Sequence, residues 1–362
     1  MNPIRKNIPA WLPIGLVVFL TLVCLVFLWK ASISTNLGAT DFRAYWSATY
    51  LLHKGLNPYD PALIRGVEIA QTHIFTEATL MAWNPPFLYV FLLPLAWLSF
   101  PIAKSIWLII NIVLVLAAIL MLARIYLLPG NQKALIIFVL LALSLPQLIS
   151  GIVIGQVVFL VFIGLVACIL LIKKEQWFWA GAVLILTLIK PHIVLLPLIY
   201  LLLYMAKRRQ WKGWLGLICA GIACLVVTTL FRPEWVSDLI GELAISPVHM
   251  ATPTIGGLLV HFGAGDIVRY MIILLLPLPF ILLSHQSTLK MELAVAVLTL
   301  ITVPTTFYGW SFDQVILLIP ISQVFSWMAR SRNKSINAWM AVGIGISLLI
   351  TYIQRFQNAN DV

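Results

Sequence analysis

Charge is scarce in this chain of 362 residues: Asp, Glu, Lys and Arg together make up 10%, against 62% hydrophobic residues. Soluble globular domains carry about 25% charged residues, and disordered chains need low hydrophobicity, so both classes are excluded. Cysteine is scarce too. Cys24, Cys168, Cys219 and Cys224 lie inside apolar runs, without the spacing of a zinc site or a disulfide framework. Also missing are an Asp-x-Asp pair to hold a divalent ion against a nucleotide diphosphate, a Gly-x-Gly-x-x-Gly loop, a Walker loop and a His-Glu-x-x-His helix. The expectation is therefore a metal-free site with no cofactor. The formal charge of +11 does not signal nucleic acid, because the bases are scattered between apolar runs.

What the chain has in abundance is span-length apolar sequence, with a mean hydropathy of +1.03. A transmembrane helix needs about 20 apolar residues. The clearest runs are Trp11–Trp29, Ile102–Ala123, Ala134–Ile149, Val157–Ile172, Phe178–Ile189, Ile193–Ala206, Trp214–Leu230, Ile267–Leu283, Leu293–Val303, Val315–Met328 and Ala338–Tyr352. The expected fold is an all-α integral membrane bundle of about eleven transmembrane helices, forming one domain over 1–362. A further run, Pro85–Phe100, carries Pro85, Pro86 and Pro94 and is followed by Pro101. It reads as a re-entrant or juxtamembrane segment.

The positive-inside rule sets the orientation. With Pro85–Phe100 not crossing and the N-terminus cytoplasmic, Arg5, Lys6, Arg124, Lys133, Lys173, Lys174, the Lys207–Lys212 cluster, Lys290, Arg330, Arg332 and Lys334 share one side. Only Glu175 and Glu292 accompany them there. Were Pro85–Phe100 to cross, the Lys207–Lys212 cluster would flip outward and the bias would collapse. The reading is a multi-pass cell-membrane protein with two large outer segments, 30–84 and 231–266, and its chemistry on the non-cytoplasmic face.

Reactive side chains collect on that face. Thr40 reads as an N-cap and Gly55 as a stop for a helix from about Asp41 to Lys54, which puts Asp41, Tyr45 and Ala48 on one side. Asp41 there is either a general base toward a substrate hydroxyl or a first-turn acid that stabilises the helix dipole. Lys190, in Leu188-Ile189-Lys190-Pro191-His192, interrupts an apolar stretch from Trp177 to Ala206. It reads as the tip of a broken hairpin, either binding an anionic lipid phosphate or snorkelling to the interface. Further candidates for substrate contact are Arg43 and Tyr59 in the first outer segment, Asn84, Gln156 beside Gly155, His249 and His261 in the second, and Trp310 and Asp313 in Phe307–Gln314. Lone loop histidines are more often plain surface residues.

Taken in order, Asp41-x-x-x-Tyr45-x-x-Ala48, Leu51-Leu52-x-x-Gly55-x-Asn57-Pro58-Tyr59, Asn84-Pro85-Pro86, Gly155-Gln156, Ile189-Lys190-Pro191, Arg232-Pro233-Glu234-Trp235 and Tyr308-Gly309-Trp310 resemble glycosyltransferase family 87 from about residue 36 to 325. The resemblance implies a GT-C-type bundle and an inverting transfer of a hexose, with mannose as the family-based expectation. It implies a polyprenyl-phosphate sugar donor, a lipid or glycan acceptor, and membrane lipids as surroundings, with Asp41 as base and Lys190 near the lipid phosphate. Where the family has a histidine after the tryptophan of the late outer loop, this chain has Phe312 and Asp313. The rival class is a transporter or lipid-linked sugar flippase. That class would show paired broken helices in two related halves, whereas this sequence has one broken hairpin and no repeat.

Overall fold

A computed structural model describes residues 40–72, 79–127, 132–243, 252–285 and 289–331. The expected first and last spans, Trp11–Trp29 and Ala338–Tyr352, and the candidate His249 lie outside the described residues. Among these, every regular element is helical. The helices are α1 Thr40–His53, α2 Pro61–Val67, α3 Phe87–Ala96, α4 Phe100–Tyr126, α5 Gln132–Leu143, α6 Pro146–Ile154, α7 Val158–Lys173 and α8 Trp177–Val183. They continue with α9 Leu195–Lys207, α10 Trp211–Phe231, α11 Trp235–Leu243, α12 Ile255–His261, α13 Leu278–Ser284, α14 Met291–Thr305 and α15 Leu318–Arg330.

Among the described residues, four helical stretches are long and apolar enough to cross a membrane: Phe100–Tyr126, Trp211–Phe231, Asp266–Ser284 and Ser311–Arg330. α5 and α6, bent by 55° at Pro146, together have the length of a fifth. The remaining apolar helices, such as α7 and α14, are shorter than a full span. On α10, Leu215, Ile218, Ile222, Val226 and Leu230 form an exposed apolar stripe at helical spacing, the pattern of a face turned to lipid. α3 covers about 15 Å at the helical rise, half of a hydrocarbon layer.

The apolar stretch from Trp177 to Lys207 folds back on itself. Its two halves give way to 3-10 turns at Leu184–Ile189 and Pro191–Val194, with Lys190 between them in backbone that is neither helical nor extended (φ −139°, ψ 71°). Proline at 191 lacks a donor and disfavours helical geometry at 190, so the break falls there. Both ends of the stretch meet at Gly213, where an added Cβ would lie 2.3 Å from Met205 Sδ and 3.3 Å from the Trp177 carbonyl oxygen. Lys190 is thus a hairpin tip. The α8 arm lies directly on the α10 backbone: a Cβ on Gly181 would sit 1.7 Å from the Gly213 carbonyl oxygen, and one on Gly216 1.9 Å from that of Phe178. Small residues permit such backbone-to-backbone packing.

α1 forms as its sequence requires, with Asp41 in its first turn and Gly55 (φ +72°) ending it in left-handed backbone. Aromatic packing seats it on the bundle. Phe42 stacks on Trp107 and Phe100 with ring centroids 5.6 and 6.1 Å apart, and Trp46 Nε1 donates to the Leu95 carbonyl at 3.0 Å. A second bond, from Trp107 Nε1 to the Gly155 carbonyl at 2.8 Å, brings the start of α7 to the same level.

Candidate active site

Gln156 is the centre of the site. Gly155 ends α6 in left-handed backbone (φ +75°), which lets the Gln156 N–H bond the Gly151 carbonyl at 2.8 Å and turns the side chain inward, where it is buried. Its Nε2 donates to Asp41 Oδ2. Its Oε1 accepts from the Tyr45 hydroxyl at 3.1 Å and from Lys190 Nζ at 3.2 Å. Lys190 Nζ also pairs with Asp313 Oδ1 at 2.9 Å, and it lies 4.9 Å from the centroid of the Phe312 ring. The second oxygen of Asp313 accepts the Trp310 backbone N–H at 2.9 Å, which fixes the carboxylate at the start of the 3-10 turn Ser311–Leu317.

Four elements therefore deliver two carboxylates, one amide, one phenol and one ammonium to a single cluster. Asp41 keeps partial exposure, whereas Gln156, Lys190 and Asp313 are buried. Burial raises the Asp41 carboxyl above the ordinary carboxylate range; Lys190 and the Gln156 bond oppose this, and the Asp313 charge adds to it. The Tyr45 hydroxyl is pushed up by burial and by the neighbouring carboxylates, so it stays protonated and able to donate.

Two more expected residues brace the hairpin tip. Asn84 Nδ2 donates to the Ile189 carbonyl at 3.1 Å, and the Tyr59 hydroxyl donates to the Asn84 carbonyl at 2.9 Å. Arg43, a candidate for substrate contact, is buried with its Nε 2.9 Å from Glu68 Oε1, on the far side of its helix turn from Gln156. It fastens α1 to the π-helical turn Glu68–Thr72. Trp310 stacks on Phe312 at 6.4 Å, beside the lysine. His261, at the end of α12, is exposed and packs edge-on against Phe262; no hydrogen bond or ion pair joins it to the cluster.

His192 is a neighbour that the sequence did not single out as a site residue. Its ring is buried, stacks on Tyr308 at 4.2 Å and tilts against Phe307 at 5.3 Å, while its carbonyl accepts the Thr306 hydroxyl at 3.1 Å. Phe307 in turn stacks on Tyr270 at 6.0 Å, so aromatic rings continue from the lysine's flank toward an exposed tyrosine. The Lys190-Pro191-His192 adjacency and the Phe307-Tyr308 pair were the available signals.

Long apolar helices, one with an exposed apolar stripe, and the all-helical order of the described residues define a helical membrane protein. The model of glycosyltransferase family 87 matches residues 83–351, and the chain belongs to that family. It is accordingly a glycosyltransferase, which decides against the transporter reading. The match takes in Asn84, Gln156, Lys190, Trp310 and Asp313 but begins after Asp41, Arg43, Tyr45 and Tyr59. Comparison with curated proteins and with solved structures finds no match.

Proposed function

We propose that this glycosyltransferase moves a hexose, mannose in the first instance, from a polyprenyl-phosphate donor to a hydroxyl of a lipid or glycan acceptor. The transfer inverts the anomeric centre and takes place on the non-cytoplasmic face of a bundle of about eleven spans, with the N-terminus in the cytoplasm. The observation that carries this reading is the Gln156 bridge, which sets the Asp41 carboxylate and the Lys190 ammonium one side chain apart.

The chemistry follows from that spacing. The acceptor oxygen bonds the anomeric carbon as its proton passes to Asp41, and the bond from that carbon to the phosphate oxygen breaks on the opposite side. Polyprenyl phosphate leaves with the electron pair. An ammonium has three N–H donors; Lys190 commits one to Asp313 and one to Gln156, which leaves a third for a phosphate oxygen. That positive group stabilises charge developing on the leaving phosphate, so the proposed step needs no metal ion. A base whose pKa lies above the ordinary carboxylate range is also a better proton acceptor when ionised. The stacked His192, Tyr308 and Phe307 rings offer apolar faces for a sugar.

Asp41→Asn tests the assignment. Removal of a general base lowers turnover by about 10²–10⁴-fold, and the variant should retain donor binding, read by titration with a polyprenyl-phosphate sugar. Near-native turnover by this variant would remove Asp41 from the role.

A further inference from the structure

At the opposite end of the bundle from the candidate site, helix termini line a polar cavity of about 330 Å³. Its position follows from two helices that leave the active site. α4 runs about 28 Å from Trp107 to Tyr126 at the helical rise, and α7 runs about 23 Å from Val158 to Lys173. Tyr126, Lys173, Lys290, Glu292, Trp327 and Arg330 form most of its wall.

The cavity has an excess of positive charge. Lys173 is bound to Glu292, which itself is that lysine's ion-pair partner. Arg330 uses Nη2 on the Tyr126 carbonyl at 3.1 Å, where Ser326 also donates at 2.6 Å. Among the described residues neither Lys290 nor Arg330 has a carboxylate partner, and both are exposed at the rim. Apolar walls from Ile125, Leu293 and Trp327 lie beside these cations. Bases over an apolar wall at the level of helix ends match a group with an anionic head and a hydrocarbon body.

We propose that this cavity binds a phosphate-bearing anion, with the headgroup of an anionic phospholipid in the adjoining leaflet as its main source. By the charge distribution that leaflet is the cytoplasmic one. In this assignment Lys290 and Arg330 hold the phosphate, Trp327 lies along the glycerol and upper chain, and the Lys173–Glu292 pair closes the inner wall. The site is independent of the sugar-transfer chemistry.

The test uses the full chain in neutral detergent, with phosphatidylglycerol titrated in and bound lipid counted by native mass spectrometry. Phosphatidylcholine and inorganic phosphate are titrated in parallel. One base near an anionic surface contributes about fivefold in affinity, and two about thirtyfold. Lys290→Ala with Arg330→Ala should therefore weaken phosphatidylglycerol retention by about thirtyfold. Lys174→Ala with Lys212→Ala, which removes two exposed bases from the same side but outside the cavity, should leave it within about threefold. Lys290→Gln alone, at an exposed position with no carboxylate partner among the described residues, serves if the double variant fails to fold, and should weaken retention by about fivefold. Competition by inorganic phosphate alone, lost with Lys290 and Arg330, would identify a soluble phosphate as the source. Equal retention by native protein and both cavity variants would overturn the site.

Discussion

Asp41 and Lys190 share one amide: Gln156 donates to the carboxylate through Nε2 and accepts from the ammonium through Oε1. Amide orientation is fixed by the partners on each side. Turned over, the amide would aim a lone pair at a carboxylate and an N–H at an ammonium, so only the observed orientation satisfies both charges. Two residues from distant parts of the chain thereby hold a fixed relation that neither could hold alone.

Gln156→Ala should accordingly act on turnover as well as on stability. It frees the Asp41 oxygen and the Tyr45 hydroxyl from a common partner, and a lost hydrogen bond to a charged group is worth about 1.5–3 kcal/mol. The expected result is a fall in kcat of about 10–100-fold and a thermal midpoint lowered by several degrees, since Tyr45 and Lys190 lose a buried acceptor. Gln156→Glu, which faces Asp41 with a second carboxylate, should fall further and should raise the pH at which activity appears.

The pH dependence of the native enzyme has a definite sign. Asp41 accepts a proton only when ionised, and burial raises its pKa from the usual 3.8. The acid limb of kcat/KM should therefore fall above the range of an exposed carboxylate. The linked stability runs the other way. Between the unfolded value and the raised folded one, the native state binds more protons than the unfolded chain, so stability declines as pH rises through the folded pKa. Asp41→Asn removes this slope, and its thermal midpoint at neutral pH should equal or exceed that of the native protein, as a melting series from pH 4 to 8 will read out.

Lys190→Ala separates charge balance from phosphate contact. It leaves Asp313 buried without its counter-ion, and breaking a buried pair on one side costs about 3–5 kcal/mol. Adding Asp313→Asn should recover much of the thermal midpoint. It should not recover transfer, because no ammonium remains for the donor phosphate. Recovery of both by the double variant would show the pair to be structural only.

Orientation is accessible to cysteine labelling at two exposed positions on a background lacking the native cysteines. Ser99 lies between α3 and α4, and Lys212 lies at the start of α10 beside the buried Gly213. A membrane-impermeant thiol reagent should label Ser99→Cys in intact cells and Lys212→Cys only after permeabilisation. Labelling of both from one side would reverse the placement of the segment between them.

Much of the site was legible because its parts carry local signals. The Thr40–His53 helix with its Gly55 stop and first-turn Asp41 follows from capping rules, and the Lys190 tip follows from proline chemistry. Asp41, Tyr45, Gln156, Lys190 and Asp313 were each singled out from such cues. Their meeting was not legible in detail, since it depends on how Trp107 ties α4 to Gly155 and how the Trp177–Lys207 hairpin lies on the glycines of α10. Arg43 shows the limit in the other direction. It reads as a candidate for substrate contact in the first outer segment, and the structure pairs it with Glu68, a residue that no local pattern connects to it. The span count was less legible than the site. Apolar runs alone predict about eleven spans, whereas helix length and composition qualify four, or five with the bent α5–α6 pair, among the described residues.

The amide at the centre also acts as an insulator. A carboxamide polarises readily but holds its protons, so Asp41 and Lys190 sense each other's charge through Gln156 without trading a hydrogen ion along it. In the proposed transfer, any proton that the aspartate collects must depart by its solvent-facing edge. Electrostatic communication and proton traffic are thus routed separately by one side chain.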